Sequence, residues 1–98
     1  MLAIMLAEWS YSNQSGNIGR KALYKFNPPC EGHELIILSS VDVPGSGIET
    51  YAFPAKWEEG NKPEIIDWTE LNISQKGTLS HQKIIEDAGY TYHNGDNH

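Results

Sequence analysis

The stretch HELIILSSVDVPGSGIETYAFPA, His33 to Ala55, decides how this chain folds. Leu35 to Leu38 is a continuous apolar run, as a strand covered on both faces requires, and Val41-Asp42-Val43 returns to alternation. Pro44 to Gly47 supplies turn chemistry, because Pro pre-sets its own φ and Gly accepts positive φ. Ile48 to Phe53, IETYAF, follows as the return strand, and Pro54 stops it or marks an edge. The stretch therefore predicts an antiparallel hairpin whose first arm is a central strand.

Upstream, Lys21 to Asn27 places Lys21, Leu23 and Lys25 on one face and Ala22, Tyr24 and Phe26 on the other. A period of two argues for a half-buried strand, which Pro28-Pro29 should end. Met1 to Trp9, MLAIMLAEW, is apolar and good helix-forming material, and Ser10 to Gly19 is rich in Ser, Asn and Gly. The fold proper is expected to begin near Arg20, with residues 1–19 as an apolar then flexible N-terminal extension. The leading segment lacks a basic start and is far short of the ~20 residues of a spanning helix, so no membrane association is expected.

Downstream, Lys56 to Pro63 is a polar loop and Glu64 to Ile66 a short strand. Asp67 and Glu70 have the spacing of a capping carboxylate and its partner, which predicts a single helical turn there. The clearest helix is His81 to Ala88, with Ser80 as N-cap, Gly89 at the left-handed position and a stripe of Ile84, Ile85 and Ala88. A helix of about two turns does not persist alone in water, so it must pack on the sheet. Tyr90 to His93 has strand propensity, and residues 94–98 should fray. The expected fold is α+β: one domain over residues 20–93, a small, mostly antiparallel sheet of three to four strands with one short C-terminal helix on a face.

The 98 residues carry a net charge of −6, and residues 21–98 hold all of the excess, with 12 acids against 6 bases. Direct nucleic-acid binding is disfavoured, because it needs clustered Lys and Arg to displace counterions from phosphates. The single cysteine, Cys30, rules out an internal disulfide and suits a reducing compartment, so a cytoplasmic location is expected. Gly45-Ser46-Gly47 lacks the Lys and following helix of a phosphate loop.

Three groups could carry chemistry. Cys30 and His33 stand three apart, with His81, His93 and His98 elsewhere; no second pair at tight spacing completes a zinc site, so neither metal nor cofactor is expected. Catalysis by a Cys30 thiolate with His33 or His81 defines the alternative reading, a small metal- or Cys/His-dependent hydrolase. Glu31 and Glu34 oppose it, because negative neighbours raise a thiol pKa. A stacking platform of Tyr24, Phe26, Tyr51 and Phe53 competes with the plainer role of strand aromatics as core. The third group is Trp57, Glu58 and Glu59 in the polar loop, with Trp68: a Trp among acids outside a strand is either a partner anchor or, for Trp68, packing beneath the helix.

At Leu23 to Ala55, LYKFNPPCEGHELIILSSVDVPGSGIETYAFPA, and at Leu79 to Tyr90, LSHQKIIEDAGY, the chain resembles short uncharacterised proteins of phage and prophage genomes. The resemblance implies an accessory protein that binds a host protein. The sequence thus points to a non-enzymatic protein-binding module, monomer or homodimer, contacting an unknown protein partner through Trp57, Glu58, Glu59 and Trp68.

Overall fold

The computed structural model describes residues 1–12, 18–43, 45 and 47–94. Four long strands run as an antiparallel meander: β1 (Leu2–Ser12), β2 (Ile18–Cys30), β3 (His33–Val43) and β4 (Gly47–Lys56). Two short strands, β5 (Glu64–Ile65) and β6 (Gln75–Lys76), both pair with β4. Helix α1 (His81–Asp87) leads into β7 (Thr91–His93), which pairs in parallel with the start of β1. The sheet order is β5-β4-β3-β2-β1-β7, with β6 off this path on β4; the α+β class and the mostly antiparallel sheet hold, with seven strands among the described residues where three to four were expected.

The central hairpin forms as the alternation requires. Ile36 and Leu38 of β3 face the same side as Tyr24 and Ala22 of β2, while Ile37 faces the other side with Leu23. All six are buried, so β3 is covered on both faces. On the first side, Tyr24, Phe26, Ile36 and Leu38 meet Ile84 and Ile85 of α1 in the main core. A row of rings runs through it, with centroid separations of 5.8 Å from His81 to Tyr24, 6.5 Å from Tyr24 to Phe26 and 4.9 Å from Phe26 to Tyr90. The Ser80 hydroxyl accepts from the Lys83 amide at 3.0 Å, and Gly89 takes φ 91°, so the helix starts and stops where its sequence says it should.

Three expectations are corrected. Leu2–Ser12 is a sheet strand pairing with β2 from Leu2↔Asn27 to Ser12↔Ile18, and Ala3 is buried in the main core; the sheet therefore includes residues ahead of Arg20 that were expected to be an extension. Residues 13–17 of the expected linker and 95–98 of the expected frayed tail lie outside the described residues, as do Pro44 and Ser46 of the expected turn. Pro28-Pro29 does not end β2, which continues to Cys30 after a register shift. Asp67 to Glu70 forms no helical turn; instead the Thr69 amide donates to Asp67 Oδ1 at 2.9 Å, the local competition that keeps Asp out of helix interiors.

Opposite the helix lies a second, smaller core of Leu23, Ile37 and Ala55, flanked by Ala7, Trp9, Leu35 and Ile65. The sheet curls toward this side until Trp9 of β1 and Pro63, just before β5, line a common pocket. A bulge at Leu6, between Met5↔Tyr24 and Ala7↔Leu23, adds to the bend. This curled side carries the candidate site.

Candidate functional site

Trp68 is the most exposed large apolar side chain of the described residues, at 69% of its full accessibility. Its position follows from two backbone anchors on β4. The Ile66 amide donates to the Pro54 carbonyl at 2.9 Å and the Leu71 amide to the Ala52 carbonyl at 2.8 Å, so residues 67–70 bridge two fixed points. Hydrogen bonds from Thr69 hold the Asp67 carboxyl below the usual carboxylate range and shape the turn. The indole then lies against Phe53, centroids 5.3 Å apart, with the Lys21 ammonium 5.8 Å from its ring centre. Phe53 is on the side opposite α1, because its partner Ile37 is; Trp68 is therefore not beneath the helix.

Beside Trp68 a pocket of about 360 Å³ is lined by Trp9, Lys21, Ile37, Glu64 and Ile65, with Pro63 at its rim. Apolar walls with a few polar groups are the ordinary make-up of a recognition site. The arrangement offers a planar apolar surface, one cation and one carboxylate. None of these lining side chains is a Ser, Thr, Cys or His.

Trp57, 43% exposed, stands on the preceding loop. Its indole Nε1 donates to the Asn61 carbonyl at 2.8 Å, and the Asn61 amide donates back to the Glu58 carbonyl at 3.0 Å, which closes the loop on itself. Glu58 and Glu59 are exposed, and Glu58 lines a second, smaller depression with Lys62 and Glu64. Glu64 borders this depression and the Trp68 pocket alike, so β5 separates two adjoining patches. Sequence reasoning missed Trp9 and Lys21. The alternation of Ala7 and Trp9 with Glu8 and Ser10 was the signal that could have found Trp9.

The Cys/His groups are not assembled. Cys30 and His33 are opposite one another at the end of the β2–β3 hairpin, whose loop residues Glu31 and Gly32 have φ of 51° and 84°. Burial first, and the Glu31 charge second, push the buried Cys30 thiol up, against nucleophile formation. His81 is at the far end of the aromatic row, its Nδ1 3.0 Å from the Tyr24 hydroxyl. Burial, with the Arg20 charge, lowers its pKa to about 4 and keeps it neutral at pH 7. Tyr24 and Phe26 are core and cannot stack bases; Phe53 is buried under Trp68, which leaves only Tyr51 of that platform partly open. Among the described residues no three His, Cys, Asp or Glu side chains form a metal-binding group, and no helix is long and apolar enough to cross a membrane.

Comparison with protein families, with curated proteins and with solved structures finds no match to this chain.

Proposed function

We propose that this chain is a small acidic, non-enzymatic binding module that captures a protein partner on its curled side, with Trp68 as the anchor. The observation that carries this reading is the placement of Trp68: exposed at 69%, yet held by a loop pinned at Ile66 and Leu71. An aromatic side chain fixed before binding loses little conformational freedom when a partner closes over it, which is what makes Trp an effective hot spot. Trp57, Glu58 and Glu59 form the adjoining patch; Glu64 is paired with Lys56 at 3.6 Å, and the Glu58 and Glu59 carboxylates favour a partner whose surface is basic around an apolar groove. The single cysteine is consistent with work in a reducing compartment, and the resemblance at Leu23 to Ala55 and Leu79 to Tyr90 favours a host protein as target.

The test is affinity capture from host lysate on the immobilised full chain, beside the Trp68→Ala protein and the Trp57→Ala, Glu58→Gln, Glu59→Gln triple variant. A stoichiometric partner held by the parent chain, reduced tenfold or more by Trp68→Ala and released as salt rises is the expected result. Equal retention by all three proteins would remove the aromatic side as the contact surface. A bare column at low salt would count against a protein-binding role in that host.

A further inference from the structure

The two edges of the sheet are treated differently by the chain. Along β4, segment 64–77 satisfies the outer backbone almost group by group. The Gly77 amide donates to Ile48, Gln75 and Lys76 pair with Thr50 and Glu49, and Leu71 donates to Ala52. The Ala52 amide donates to Ser74 Oγ at 2.8 Å, Ile66 donates to Pro54, and Ile65 and Glu64 pair with Ala55 and Lys56. The β1 edge has no such cover. Strand β7 pairs only with Leu2, Ala3 and Ile4, and among the described residues nothing pairs with the outer edge of residues 7–12. An open edge of that length is a template for another strand.

We propose that β1 pairs antiparallel with β1 of a second copy across residues 8–12, joining two sheets into one through a twofold axis at Ser10. Charge selects this occupant. The chain carries −6 in all, but residues 1–20 hold only Glu8 and Arg20, and these two form a 2.9 Å ion pair across β1 and β2. A second acidic copy is repelled by the rest of the molecule and can approach along this neutral strand. A basic partner is instead drawn to the acids that lie elsewhere. Strand β1 also has no Lys and no Pro, the residues with which edges commonly discourage pairing. Antiparallel pairing is isologous, so the same five residues serve both copies and the interface closes at two. Among the described residues β7 pairs with β1 no further than Ile4, short of this overlap. Trp9 lies in the overlap, so dimerisation would bring both aromatic pockets onto one continuous sheet face.

Sedimentation of the full chain from low micromolar to several hundred micromolar reads the outcome. The expected mass rises to twice 11.0 kDa, and Ser10→Glu shifts the midpoint at least tenfold toward higher concentration. Ser10 is exposed and opposite Arg20, so the new carboxylate gains a partner within the fold while placing like charges about the twofold axis. A mass of one chain throughout, or a dimer indifferent to Ser10→Glu, overturns the proposal. Should that variant fail to fold, hydrogen exchange on the parent chain decides: amides of residues 8–12 should slow as concentration rises. Protection independent of concentration would mean that another segment of the same chain covers the edge, and would overturn it equally.

Discussion

The Tyr24 hydroxyl and His81 Nδ1 lie 3.0 Å apart inside the core and tie the middle of β2 to the first residue of α1. Among the described residues His81 Nε2 is buried without a hydrogen-bond partner; burial first and the Arg20 guanidinium second oppose its charged form, which the Arg20 backbone favours more weakly. The helix is therefore docked through a neutral imidazole.

This arrangement makes stability sensitive to acid. The ordinary histidine pKa is 6.5 and burial lowers that of His81 to about 4, so the unfolded chain takes up a proton before the folded one does. The stability is fully present above about pH 6.5 and falls as pH drops from there toward 4, by roughly 3 kcal/mol in all. Urea unfolding of the parent chain across that window should show the slope. His81→Phe, which cannot titrate, should flatten it, and an unchanged slope would assign the acid sensitivity to other groups.

Ser40 and Thr50, opposite each other on β3 and β4, bring two buried hydroxyls to 2.8 Å. Ser40 Oγ is also 3.0 Å from the Leu79 carbonyl and Thr50 Oγ1 2.8 Å from the Thr78 carbonyl. Two protons thus serve three contacts that hold the approach to α1. Thr50→Val keeps the shape and leaves the Thr78 carbonyl unsatisfied. A loss of about 1–3 kcal/mol in chemical denaturation is expected, with helix content unchanged before the transition.

At the helix start, Ser80 accepts from the Lys83 amide, and α1 has only seven residues. So short a helix gets a large share of its stability from its cap and its packing. Ser80→Ala should cost about 1 kcal/mol, while Ser80→Asp should restore most of it by accepting from the same amide. Equal stability of the two variants, followed by thermal melting, would show that packing of Ile84 and Ile85 alone holds the helix.

The hairpin of β3 and β4 and the bounds of α1 were legible because each rests on local chemistry: an apolar run between turn residues, and a cap with a glycine stop. Trp68 was ambiguous for the opposite reason. What exposes it is the anchoring of Ile66 and Leu71 to β4, and backbone bonds between distant segments leave no pattern in a sequence. The Glu31-Gly32 turn was missed because Glu is an unusual residue at positive φ. Its carboxylate there accepts from the amides of Asn72 and Ile73 at 2.9 and 3.2 Å, a tertiary role invisible in the hairpin alone. In β1, Ala3 and Met5 face the helix side with Phe26 and Tyr24, whereas Ala7 and Trp9 face the other with Leu23 and Lys21. The bulge at Leu6 shifts the phase, so no single period-two register spans the strand.

That misreading leads to the sharpest test of the fold. If residues 1–19 were an appendage, a chain beginning at Arg20 would keep its stability. The structure requires the reverse. Removing β1 strips Ala3 and Met5 from the main core and Trp9 from the smaller one, bares the outer edge of β2, and leaves β7 without the strand it pairs with. At up to about 1.5–3 kcal/mol for each large apolar side chain, before any hydrogen bond is counted, the loss is comparable with the lower end of the ~5–15 kcal/mol of a typical domain. The truncated chain should lack a cooperative thermal transition and bind a hydrophobic dye, whereas the full chain melts cooperatively. A truncated protein that melts within a few degrees of the full chain would remove β1 from the fold, and with it the proposed dimer edge.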